Sequence, residues 1–235
     1  MTVDRILQQY AQGERSFTQV DLVEAELINV NLSHTDFSYA DFRQARLGRT
    51  HFTGANFHSA DLSEAILWGT DLSDADLSYA ALREADLSGA KLVGTNFSCA
   101  CLAKAILGGA NLSGANLAGA SLFEADLRST SDHRTDLGNA HLQEADLSYA
   151  KLSGVLLIRA NLASAKLCRA NLGWETRQDS LPTDLTEANL RGADLSYADL
   201  SGAILVGADL RDADLTGTIL ADADLRDAIL PQRRG

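Results

Sequence analysis

No apolar run in this 235-residue chain is long enough to span a bilayer, because Asp, Ser, Gly or Arg interrupts the leucines and alanines every few positions. Positive charge is also scarce. Twenty Lys and Arg against 32 Asp and Glu leave a formal charge of −12, which argues against direct binding of nucleic acid or an anionic membrane and leaves basic protein surfaces as partners. Cys99, Cys101 and Cys168 are odd in number and lack metal-ligand spacing, so they suit a reducing compartment better than a disulfide framework. The five histidines, His34, His51, His58, His133 and His141, match no metal motif such as His-Glu-x-x-His. No nucleophile or acid–base pair gathers around them, and the expectation is a chain with no enzymatic activity, no cofactor and no metal. The opening "MTVDRILQQY" puts Asp4, Arg5 and two glutamines where a signal peptide needs an apolar core, so the expected location is cytoplasmic.

What the chain has is a period of five. From Phe17 to Leu127 every fifth residue is Leu or Phe, 23 in succession. The phase skips Asp132, resumes at Leu137 for eight more through Leu172, and after a second break runs from Leu185 to Leu230 for ten. Two residues before each stands Ala, Thr or Val, with Arg15 the exception. A helix of period 3.6 would spread these residues around its circumference, and a strand of period 2 would send alternate ones to opposite faces. If each five-residue unit is instead one side of a square coil, the central Leu and the small residue both point inward and the other three face solvent. Four units, twenty residues, then close a turn, and repeated turns make a solenoid with one continuous core. Phe17, Phe37, Phe57 and Phe97, with Leu77 completing the column, fall on one side at spacing twenty and are the expected core stack.

This pattern resembles the pentapeptide-repeat family over residues 16 to 230. The resemblance implies an all-β solenoid, a right-handed quadrilateral β-helix of about eleven coils. The expected layout is a single domain over 1–235. Residues 1–15 form a helical cap, 16–230 the β-helix interrupted by loops 128–134 and 173–184, and 231–235 a basic tail. At the cap, Asp4 is placed to start a helix running to about Gln12, with Val3, Ile6, Leu7 and Tyr10 covering the first coil. Three stretches, "RILQQYAQGERSF" (5–17), "SEAILWG" (63–69) and "AKLCRANLG" (165–173), are similar to a cyanobacterial branch of the family that regulates heterocyst differentiation. That likeness implies a non-catalytic regulator whose partner is a protein, a heterocyst-controlling DNA-binding transcription regulator, approached without contact to DNA. Gyrase-binding members commonly carry a carboxyl-terminal dimerisation segment, and its absence here points to a monomer. The alternative function is imitation of duplex DNA toward a type II topoisomerase, which the acidic rod suits.

Two surfaces are candidates for partner binding. The breaks hold Arg128, His133 and Arg134 in one and Trp174 and Arg177 in the other, and Trp with Arg is a frequent hot-spot combination. The second surface is a column at spacing twenty, reading Glu24, Gln44, Glu64, Glu84, Lys104, Glu124, Glu144 and Ser164, and continuing to Glu187, Gly207 and Asp227 if the second break adds three residues. Asp61, Asp71 and Asp76, with Asp74 and Asp86, make residues 61–87 the densest acidic zone. Stacked glutamates about 4.8 Å apart repel by roughly 0.9 kcal/mol per pair in water, a cost the core bears easily.

Overall fold

One pentapeptide, Asp61 to Ala65, contains most of the architecture. Leu62 is fully buried, and Ala65 beside it closes a turn by donating its N–H to Leu62 O at 3.1 Å. Ser63 and Glu64 form the corner, and Glu64 has φ of +59°, the left-handed value that the third residue of a type II turn requires. Asp61 Oδ1 accepts the Ser63 N–H at 2.9 Å, so an aspartate at this place caps the turn after it. The remaining backbone groups bond the neighbouring coils: Asp61 N–H donates to Ala40 O at 2.9 Å and Leu62 N–H to Ala81 O at 2.7 Å. With a turn in every unit the extended stretch is too short for a strand, and the coils are joined by isolated parallel bridges.

The structure, a computed structural model, describes residues 2–174 and 181–232. Bridges repeat at twenty residues in four columns that begin at Ser16, Asp21, Glu26 and Asn31, which makes the chain a β-helix. One buried cluster runs without interruption from Ile6 to Ala213. Phe37 lies at its aromatic centre, stacked on Phe17 and Phe57 at 5.7 and 5.5 Å between ring centroids and met edge-on by Phe42 and Phe52. Leu77 and Phe97 continue that column, fully buried. Where threonine replaces the small alanine, its hydroxyl donates to the carbonyl of a central leucine, in the preceding coil for Thr70 to Leu47 O at 3.1 Å and Thr95 to Leu72 O at 2.8 Å, and in its own coil for Thr35 to Leu32 O. A buried hydroxyl is thereby satisfied without leaving the repeat.

The amino end is covered by α1, Val3–Ala11, whose Ile6 is fully buried while Val3, Leu7 and Tyr10 pack half-buried on the first coil. The helix begins two residues earlier than expected with Asp4 as its cap. Thr2 is the N-cap residue, without a side-chain cap bond, and Asp4 lies inside the first turn, where its charge faces the positive end of the helix. At the other end Leu215, Leu220 and Leu225 are only half-buried and Leu230 is 47% exposed.

The breaks change the coil register more than the five-residue phase reveals. Asn111 bridges Asp136, a spacing of 25, and Leu156 bridges Asp184, a spacing of 28, so the first break adds five residues to its coil and the second adds eight. The long acidic column is corrected accordingly. Gly119 N–H bonds Gln143 O at 2.9 Å, which sets Glu144 under Gly119, and Ser164 continues that corner. Glu187, Gly207 and Asp227 lie under Arg159, on the corner that begins with His34. Glu124 is succeeded on its own corner by Tyr149, then Arg169, Tyr197 and Gly217. A five-residue insertion equals one whole unit and so leaves the phase intact while turning everything after it by one side.

Candidate partner-binding corners

Both breaks leave the β-helix at the same corner. Above them this corner is Gly48–Arg49, Trp68–Gly69, Ser88–Gly89 and Gly108–Gly109; the first break then departs after Leu127 and the second after Leu172, with Ser153–Gly154 between them. The small residues recess the surface. A methyl group on Gly108 would approach Arg128 O to 3.1 Å, and one on Gly48 would meet Trp68 Nε1 at 2.7 Å. Arg49 sits 4.6 Å from the Trp68 ring centre, a cation over an aromatic face.

Arg134 ties the two breaks together. Its Nε donates to Gly154 O at 2.8 Å and its Nη2 to Pro182 O at 2.6 Å, joining the first loop to the returning end of the second. Burial pulls this guanidinium below its ordinary pKa, while Asp184 and Asp136 pull the other way. Arg128 is held by Asp126 through Nε at 2.9 Å and Nη2 at 2.7 Å, and Lys151 approaches the same carboxylate at 3.5 Å. Burial pushes Asp126 up, but hydrogen bonds from Arg128 and the charges of Arg128 and Lys151 outweigh it, and the carboxyl titrates below its usual range. The His133 carbonyl accepts both the N–H and the hydroxyl of Thr130, at 2.9 and 3.0 Å, which closes the loop tip. Between loop and corner lies an open cleft of about 590 Å³ with Ile106, Arg128, His133, Arg134 and Leu181 on its walls. Trp174 donates its backbone N–H to Ser201 O at 2.9 Å, lies with its ring against Gly202, and is 59% exposed. Arg177 lies outside the described residues.

The acidic corner is shorter than its sequence column. Glu64 accepts a hydrogen bond from Gln44 Nε2 at 2.9 Å, Glu84 stands in the next coil, and Glu124 is paired with Lys104 at 3.8 Å. Glu144 is one corner away. Asp61, Asp71 and Asp76 stand at bridge positions, not on a corner, and are engaged in turns. Asp71 accepts from the Ser73 N–H at 3.2 Å and hydroxyl at 2.8 Å, and Asp76 from Ser78 N–H at 3.0 Å and Asn96 Nδ2 at 2.9 Å. Burial raises the Asp71 pKa, but the Ser73 hydrogen bonds and the charges of Lys91 and His51 more than offset it. Much of the acidity in 61–87 is therefore turn-capping carboxylate shared with the backbone. The structure brings Arg128, His133 and Arg134 to one cleft, and it leaves the glutamates on the neighbouring corner.

Among the described residues no group of three or more His, Cys, Asp or Glu could hold a metal ion, and no helix is long and apolar enough to cross a membrane.

Comparison with known proteins accounts for this geometry. The model of the pentapeptide-repeat family matches in eight copies, over residues 16–49, 31–69, 70–109, 107–131, 135–173, 183–212 and 193–232. The chain belongs to the pentapeptide-repeat family. Its coordinates superpose on the crystal structure of HetL, a pentapeptide repeat protein involved in heterocyst differentiation regulation from the cyanobacterium Nostoc sp. strain PCC 7120. That match has a TM-score of 0.97 and 56% identity and covers 98% of this chain and 97% of HetL. A second pentapeptide repeat protein from the same strain, alr5209, is 36% identical over 49% of this chain and 80% of its own, with a TM-score of 0.27. QnrB1, a plasmid-mediated fluoroquinolone resistance protein, is 20% identical, covers 88% and 90% of the two chains, and has a TM-score of 0.38. A search of curated proteins gives no significant match.

Proposed function

We propose that this chain is a non-catalytic cytoplasmic regulator of heterocyst differentiation that binds a DNA-binding transcription regulator through protein contacts. The observation that carries the reading is the likeness to HetL along 98% of the chain. The rod is taken as right-handed and as one domain, the four bridge columns support its four sides, and the five-residue units at four to a coil support about ten coils in place of the eleven expected. The corner with both breaks is the docking face, because Arg134 holds the two loops as one unit beside a cleft whose walls mix apolar and cationic groups. The rod acts as a monomer. Imitation of duplex DNA toward a topoisomerase remains the competing reading on the strength of the −12 charge, and its acidic edge would end at Glu124.

The test is a binding measurement between the purified chain and a heterocyst-controlling transcription regulator, with gyrase subunits in parallel. The regulator is expected to bind the wild type and the Glu64→Lys, Glu84→Lys, Glu124→Lys variant alike, and to lose affinity with Arg134→Ala or Trp174→Ala. Binding of gyrase that disappears in the glutamate variant, with none of the regulator, would replace this function by the DNA-mimic one.

A further inference from the structure

The corrected register places a set of residues together that no column of the linear sequence contains. Below Glu124 the corner reads Tyr149, Arg169, Tyr197, in three successive coils. The Arg169 guanidinium lies 6.0 Å from the Tyr149 ring centre and 5.4 Å from that of Tyr197, so the cation is held between two rings. Phe123 meets Tyr149 edge-on at 5.6 Å, and Tyr197 lies so close over Gly217 that a methyl group there would approach its Cδ1 to 2.7 Å. The rings are supported from both ends yet remain open, Tyr149 at 47% and Tyr197 at 57% exposure. Arg169 has no carboxylate within ion-pair distance among the described residues, whereas Lys166 in the same coil stands in its bridge column between Asp146 and Asp194. By contrast, the comparable stack one corner away, Tyr39 and Tyr79 at 5.6 Å on either side of His58, carries no fixed cation and is closed by a His58–Ser78 hydrogen bond.

We propose that Tyr149, Arg169 and Tyr197 form a docking site for an acidic segment of a partner protein. A carboxylate of the partner would take the guanidinium edge left free by the rings, and its neighbouring apolar side chains would lie on the tyrosine faces. Tyr and Arg are the side chains that concentrate binding energy when they are pre-ordered, and here the stack spends little further entropy on ordering. Charge complementarity selects the occupant. The bulk field of a rod of net charge −12 repels an anionic partner, so such a partner has to be recognised locally, where Arg169 lacks a carboxylate partner among the described residues. The same argument disfavours a polynucleotide, whose continuous charge would meet the glutamates above as well as Arg169. This inference does not depend on which regulator the loop corner binds.

The experiment uses the full chain with ring-labelled tyrosine and tracks its five tyrosines by NMR during titration with a capped peptide of alternating leucine and glutamate. A leucine–glutamine peptide and a short oligothymidylate serve as the other probes. The expected result is saturable shifts of the Tyr149 and Tyr197 rings with the glutamate peptide alone, while Tyr39 and Tyr79 stay fixed. Arg169→Gln should weaken the titration by about tenfold, and Arg169→Lys by less, because an ammonium keeps the charge but not the planar stack. Equal shifts at Tyr39 and Tyr79, no saturation, or insensitivity to Arg169→Gln would overturn the proposal. A response to oligothymidylate in place of the peptide would overturn it in favour of a stacking platform for single-stranded nucleic acid.

Discussion

A cross-link decides the register on which the aromatic corner depends. With Cys99, Cys101 and Cys168 changed to serine, cysteines are placed in pairs at 124 and 149, or at 124 and 144. Glu124 N–H donates to Ser148 O at 3.0 Å, so residues 124 and 149 occupy the same corner of adjoining coils. Coils in parallel pairing lie about 4.8 Å apart, which falls within the Cα separation of about 4.4–6.8 Å that a disulfide spans. Both positions have left-handed backbone, φ +57° and +59°, and Cys99 already occupies such a corner at +57°. The 124–149 pair should therefore oxidise readily, seen as a loss of two free thiols by mass spectrometry. It closes a loop of roughly 25 residues and should raise unfolding free energy by about 3.5 kcal/mol in urea. The 124–144 pair, one coil and one side apart, should stay reduced under the same conditions. Efficient closure of 124–144 with none of 124–149 would refute the five-residue insertion and remove Tyr149 and Arg169 from the Glu124 corner.

Three further outcomes rest on local geometry. Gly89 has φ of +62° and no atom within 4 Å of an added Cβ, so Gly89→Ala carries only the conformational penalty and should cost about 1 kcal/mol in urea denaturation. Phe37 touches four other rings at 5.2–5.9 Å whereas Phe97 has no ring partner among the described residues, so Phe37→Leu should cost about 1–2 kcal/mol more than Phe97→Leu; equal costs would deny the rings any role beyond volume. The Arg211 hydrogen bonds hold Asp209 down at about 2, so its contribution is complete above the unfolded carboxyl value near ~3.9 and is lost as pH falls through about 2. Arg211→Gln should move that titration up toward ~3.9, read by carboxyl NMR, with a stability loss at neutral pH below about 1 kcal/mol because the pair is at the surface.

The fold was legible because its determinant is local and repeated. Leu62, Ala65 and the corner between them recur in unit after unit, and a period of five admits neither helix nor strand as a way to bury every leucine. The acidic corner was only half legible for the same reason. A break of five residues is invisible to a period of five, so Glu144 and Ser164 look like continuations of Glu124 although the chain has turned by one side. The phase change at the second break is visible as three residues, whereas the coil gains eight, because five of them again vanish into the repeat. Arg134 could be named as a loop residue, but its bonds to Gly154 and Pro182 depend on the two breaks sharing a corner, which only the coil register reveals. A count of Asp and Glu likewise cannot separate Asp76, engaged with Ser78 and Asn96, from Glu84 on its corner.

The corners are where such a rod acquires identity. Its interior is nearly uniform, and the bridge positions are largely committed to backbone pairing and turn capping, so neither distinguishes one partner from another. At the corners, 26 non-glycine residues among those described adopt positive φ, each at a cost that glycine would avoid. Glycine fills others, among them Gly89, Gly109 and Gly202 around the breaks, where a recessed surface leaves room for Trp68, Trp174 and the loop that carries Arg134. On the next corner the chain accepts the left-handed penalty at Glu64, Glu84 and Glu124 and again at Tyr149, Arg169 and Tyr197. Folding alone would be served better by glycine at each of these positions. The side chains that stand there in place of glycine make this edge acidic toward one end and aromatic with a held cation toward the other, and these are the groups that a partner contact of the kind proposed above would use.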